Sequence, residues 1–134
     1  MAVVRSDTRL IRSSEDVVMV RQAVREFAKA AGFSLVDETK IVTAASELAR
    51  NVIQYGGGGT VLLEALNDDV RRGVRLVFED QGPGIADLEL ALRDGYSTGG
   101  GLGLGLSGAR RLANEFAIDS RPGAGTRVMI TRWR

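Results

Sequence analysis

Between Gly95 and Gly108 the chain reads Gly-Tyr-Ser-Thr-Gly-Gly-Gly-Leu-Gly-Leu-Gly-Leu-Ser-Gly, which places seven of its 17 glycines in one stretch. Ordered glycine loses more backbone freedom than any other residue, so such a cluster needs a structural reason. One reason is a flexible loop closing on a helix. The other is a phosphate cradle, where close backbone approach and free N–H groups at a helix N-terminus hold an anion. The first half of the stretch has no apolar periodicity. The second half runs into the helical spacing Leu104, Leu106, Ala109, Leu112, Ala113.

The flanking sequence sets the fold class. Val3–Ile11 reads as a strand whose alternation Ser6 and Asp7 interrupt. Ser13 followed by Asp16 resembles a helix start, and Val17, Val20, Val24, Phe27, Ala28 and Ala31 make one apolar face up to Gly32. A second helix is predicted from Ser34–Asp37 to about Tyr55, with Ile41, Ala44, Ala45, Leu48, Val52 and Tyr55 as its buried stripe. Gly56–Gly59 stops it. Thr60–Asn67 and Val74–Glu79 read as strands, Asp87–Arg93 as a short helix, Leu104–Asn114 as a helix, and Phe116–Ser120 and Thr126–Trp133 as a terminal hairpin. Paired helices followed by adjacent strands predict an α+β chain: a mostly antiparallel mixed sheet with helices on one face, an α/β sandwich. A length of 134 residues fits a single domain, 1–134.

Composition removes several function classes. There is no cysteine and no histidine, so thiolate chemistry, imidazole bases and imidazole metal ligands are excluded, and acid–base work falls to Asp, Glu, Lys or Tyr. A net charge of +1 with no long basic run argues against generic nucleic-acid binding. The opening residues lack the apolar core of a signal peptide and no 18-residue apolar run occurs, so a cytoplasmic location without membrane contact is expected.

Two places combine polar side chains with an apolar setting. Glu47 and Asn51 stand four apart, on one side of the second helix at the edge of its apolar arc. They are either a solvated helix edge or a carboxylate and amide suited to proton acceptance and Mg²⁺ coordination. Arg50 either orients the acid or makes a surface pair. Asp80 ends an apolar strand and precedes Gly82-Pro83-Gly84. It is either the first residue of a tight turn or a pocket-floor acceptor for an exocyclic amine, with Gly84 letting a flat ring lie against backbone.

Better-known glycine loops do not fit. Gly103–Gly108 matches G-x-G-x-x-G, but a Rossmann loop follows a strand at the start of a βαβ unit. A Walker loop needs Gly-Lys-Ser/Thr, and the chain's lysines are Lys29 and Lys40. Protein kinases of the eukaryotic type need His-Arg-Asp and a longer chain.

Taken in order, Glu47-Leu-Ala-Arg-Asn51, Asp80-Gln-Gly-Pro-Gly84, Gly99–Gly105 and Gly125-Thr126 resemble the N, G1, G2 and G3 boxes of the GHKL superfamily, whose ATPases have the Bergerat fold. Within it, Ser46–Asn51, Glu79–Ile85, Asp94–Thr98, Arg111–Phe116 and Trp133 look similar to the short bacterial serine/threonine kinases related to anti-sigma factors, the stressosome switch kinases in particular. The resemblance implies ATP and Mg²⁺ as cofactors, Glu47 as catalytic base and Asn51 as Mg²⁺ ligand. It implies Asp80 as the adenine-reading acid, with Gly82, Gly84 and Ile85 around the base and Thr126 behind it. Thr98, Gly99, Gly100, Gly101, Leu102, Gly103, Leu104 and Gly105 become lid hinge and phosphate contacts, with about Ala86–Gly100 as the lid. The implied partners are STAS-domain substrates and a phosphatase or other effector. A binding module that sequesters a sigma factor, and a nucleotide-free scaffold, are the alternative readings.

Overall fold

In the computed structural model, residues 1–85, 92 and 105–134 are described. The order is β1 (Ala2–Ile11), α1 (Ser14–Ala30), α2 (Leu35–Gly56), β2 (Gly59–Asn67), β3 (Arg72–Asp80), α3 (Gly105–Leu112), β4 (Glu115–Ser120) and β5 (Thr126–Trp133). The predicted helix at Asp87–Arg93 lies outside the described residues, apart from Leu92.

Both long helices start where side chains can take up orphan backbone donors. The Asp16 carboxylate accepts from the N–H groups of Arg12 at 2.8 Å and Ser13 at 3.3 Å, and the Ser34 hydroxyl accepts from Asp37 N–H at 3.2 Å. Gly32, at φ 79°, ends the first helical run as its position predicts. Helix α1 buries Val17, Val20, Ala23, Val24, Phe27 and Ala28; α2 buries Ile41, Val42, Ala44, Ala45, Leu48, Ala49 and Val52. Tyr55 departs from its predicted place in that stripe and is 44% exposed, in the helix's last turn.

The five strands lie in the order β1-β2-β3-β5-β4, and every described pairing is antiparallel. Alternation sends Val61 and Leu63, Val74, Leu76 and Phe78, and Val128 and Ile130 to the helix-covered face, where they join one core with α1, α2 and α3. The irregular pattern of β1 has two causes. A register shift lies between Val3 and Arg5, and the strand is at the sheet edge, where Arg5 stacks on Phe27 at 4.2 Å and Asp7 pairs with Arg9 at 2.8 Å. Among the described residues, no helix is long and apolar enough to cross a membrane.

Candidate active site

Helix α2 carries the first two candidate residues. Glu47 is only 5% exposed and Asn51 is half-buried, so the pair sits deeper than a solvated helix edge. Burying a carboxylate is costly unless it is paired. Here Arg50, half-exposed three residues on, donates from Nη1 to Glu47 Oε1 at 3.0 Å.

Asp80 closes the far end of the site. It is the last residue of β3, paired with Gly59 on β2 and Thr126 on β5. Its Oδ1 accepts from Gly82 N–H at 2.9 Å, which turns the chain out of the sheet. The carboxylate lies against the end of α2: a Cβ on Gly56 would collide with the Asp80 side chain, and one on Gly82 would come within 2.6 Å of Gly56 Cα. At about 1.5 Å per residue, Glu47 lies roughly 13 Å along α2 from Gly56, with Asn51 between them. One helix thus sets out a carboxylate, an amide and a glycine packed on the Asp80 side chain in sequence order.

A second network holds the loop after Asp80. Ser120 Oγ accepts from Ile85 N–H at 2.8 Å, lies 2.7 Å from Thr126 Oγ1, and is 3.2 Å from the Gly125 carbonyl. Gly123 N–H donates to the Pro83 carbonyl at 2.7 Å. The β4–β5 hairpin therefore clamps the 82–85 loop beside Asp80. Gly84 takes φ 77°, and a Cβ there would strike the Arg121 carbonyl, so the packing of this hairpin already requires glycine.

Of the sequence candidates, Glu47 and Asn51 stand together on α2, while Asp80, Gly82, Gly84, Ile85 and Thr126 gather at the sheet end. Gly105 opens α3, which packs on α2 through the buried face Leu106–Ala109. Thr98, Gly99, Gly100, Gly101, Leu102, Gly103 and Leu104 lie outside the described residues, as does the expected lid. Sequence reasoning missed Ser120 and the packing role of Gly56. A serine ending a strand and a glycine ending a helix are too common to signal a site.

The donor set suits Mg²⁺, which takes few protein ligands and keeps phosphate oxygens and waters. Among the described residues, no group of three or more Asp, Glu, His or Cys side chains could hold a metal by itself.

A family model described as histidine kinase-, DNA gyrase B-, and HSP90-like ATPase matches residues 36–133, from the start of α2 to the end of β5. The chain belongs to this family. It is 45% identical over 123 residues to the serine/threonine-protein kinase RsbT of Bacillus subtilis, covering 92% of each chain. An anti-sigma F factor of Bacillus licheniformis is 29% identical, with 89% of this chain and 85% of that one covered. Among solved structures, the RsbU and RsbW domains of Rv1364c from Mycobacterium tuberculosis superpose with a TM-score of 0.68 at 24% identity, over 98% of this chain and 33% of that one. The mycobacterial sensor histidine kinase MprB gives 0.55 at 18% identity, over 96% of each chain. The α+β fold and the GHKL resemblance are borne out, and the expected enzyme class is that of the 45% identical relative. Family membership carries ATP as the nucleotide.

Proposed function

We propose that this protein is a serine/threonine kinase that transfers the γ-phosphoryl group of ATP to a STAS-domain partner in a bacterial partner-switching pathway, and that it activates a phosphatase or other effector when released. The observation that carries the reading is the alignment along α2 of buried Glu47, half-buried Asn51 and Gly56 packed against Asp80. The RsbT similarity supports the reaction class and the partner type.

Each side chain then has a task. Asp80 accepts the adenine amine, and the 82–85 loop, clamped by Ser120 and backed by Thr126, holds the base. Asn51 would hold Mg²⁺, which when bound supplies positive charge against the phosphates. Glu47 accepts the proton of the substrate hydroxyl as its oxygen bonds to the γ-phosphorus and the bond to the ADP oxygen breaks. Such a transfer needs mainly positioning and charge stabilisation.

Labelled ATP with purified STAS-domain proteins tests the reaction and the partner together. Glu47→Ala is expected to keep ATP binding and lose transfer. Full transfer by that variant would sink the assignment.

A second reading is that of an anti-sigma factor whose binding depends on ATP. Its support is the series of anti-sigma F factors at 26–29% identity over most of both chains. Capture from lysate separates the two: STAS proteins and a phosphatase favour the switch kinase, and a sigma factor favours this alternative.

A further inference from the structure

We infer that Arg50 is the positioning residue of the Glu47 carboxylate, holding it aimed while it stays buried; this rests on the reading of Glu47 as the base. The two side chains differ sharply in exposure, 7% for Glu47 and 49% for Arg50, although they are joined by a 3.0 Å contact. Among the described residues, Arg50 is the ion-pair partner of Glu47. A carboxylate withdrawn from water is costly to bury without a charge-assisted hydrogen bond. Arg50 supplies that bond and stays in contact with solvent, so the pair avoids the penalty of two fully buried charges.

The contact is also local. A spacing of three residues puts both groups on neighbouring positions of one helix. Among the described residues, the side-chain contact that orients the base thus comes from its own helix, α2. Holding Oε1 restrains the carboxylate, and its second oxygen keeps the capacity to accept a hydroxyl proton. A general base must come within about 2.6–3.2 Å of the oxygen whose proton it takes. A misplacement of about 1 Å at such a centre costs on the order of 100-fold in rate. The bond uses one nitrogen, Nη1, so a lysine of suitable reach can substitute for much of it.

The test compares wild type with Arg50→Ala, Arg50→Lys and Glu47→Ala, using labelled ATP and a STAS-domain protein as acceptor. A fluorescent ATP analogue reports nucleotide affinity, and far-UV circular dichroism reports folding. Arg50→Ala is expected to lower kcat by about 10- to 100-fold, with KM for acceptor and nucleotide affinity within about threefold of wild type. Arg50→Lys recovers most of the loss. An unchanged kcat in Arg50→Ala overturns the inference. So does a raised acceptor KM at normal kcat, which would make Arg50 a docking residue, and so does a loss that lysine fails to recover. If Glu47→Ala transfers at full rate, the base reading itself has failed. If Glu47→Ala is dead and Arg50→Ala is fully active, only the role of Arg50 has.

Discussion

Arg132 donates from Nη2 to the Asp37 carboxylate at 2.7 Å, joining the last strand to the first turn of α2 across 95 residues of sequence. Its Nη1 donates to the Leu112 carbonyl at 2.8 Å. One side chain thus takes up a carbonyl at the C-terminal end of α3 and an acid in the first turn of α2. The helix that leaves the glycine stretch is tied to the helix that carries Glu47 and Asn51.

This pair sets a pH dependence. The hydrogen bond from Arg132 holds the Asp37 carboxyl below its ordinary value, with the arginine's charge and Ser34 adding to it against partial desolvation. A carboxyl lowered in the folded state adds stability above its unfolded value of about 3.9, and that stability is lost as pH falls through the folded value. Asp37→Asn is expected to cost about 1–2 kcal/mol at neutral pH. The gap to wild type should close below about pH 4. Urea denaturation of both proteins from neutral to acid pH measures it, and a gap that stays constant would show that the ion pair is not its source.

Ser120→Ala removes the acceptor for Ile85 N–H and the partner of Thr126. Losing one such bond costs about 1–2 kcal/mol, which is roughly 5- to 30-fold in affinity if it falls on the nucleotide loop. Titration with a fluorescent ATP analogue is expected to show weaker binding while thermal unfolding shifts by only a few degrees. Unaltered affinity would mean that the hairpin does not shape the nucleotide site.

Gly84→Ala is expected to destabilise by about 2–3 kcal/mol, through a side chain at positive φ and a collision with the Arg121 carbonyl. Differential scanning calorimetry reads the effect directly. A shift under 2 °C, against about 4–8 °C per kcal/mol for a domain of 60–100 residues and less for larger ones, would show that the loop relaxes around the methyl group.

Asn51→Ala separates metal from nucleotide. Analogue binding in EDTA is expected to match wild type, while the gain on adding Mg²⁺ falls at least about fivefold, the effect of losing roughly 1 kcal/mol of coordination. An intact Mg²⁺ response would move the metal contact elsewhere.

The elements of this protein are written in local patterns. Three- and four-residue apolar spacing fixed α1 and α2, Ser13 and Ser34 marked their starts, and the turn residues at Asp68–Gly73 and Arg121–Gly125 bounded β2, β3 and β5. Ends were less legible. β3 begins at Arg72 and α3 stops at Leu112, because strand pairing and the Asn114 N–H bond to the Thr131 carbonyl decide where the chain turns. Tyr55 shows the same limit, since the helical period puts it on the apolar arc and the folded chain leaves it 44% exposed.

By itself the sequence determined the α+β order and placed a carboxylate and an amide four residues apart, a relation that helical geometry turns into one side of α2. Only the tertiary structure decided which of the groups meet. Glu47 is buried because α2 lies against the rest of the core, Asp80 meets Gly56 because β3 ends beneath the helix, and Ser120 reaches Ile85 because β4 and β5 fold back beside it. Periodicity is a property of neighbours along the chain, whereas these contacts join residues as far as 35 positions apart, through packing that no local spacing encodes.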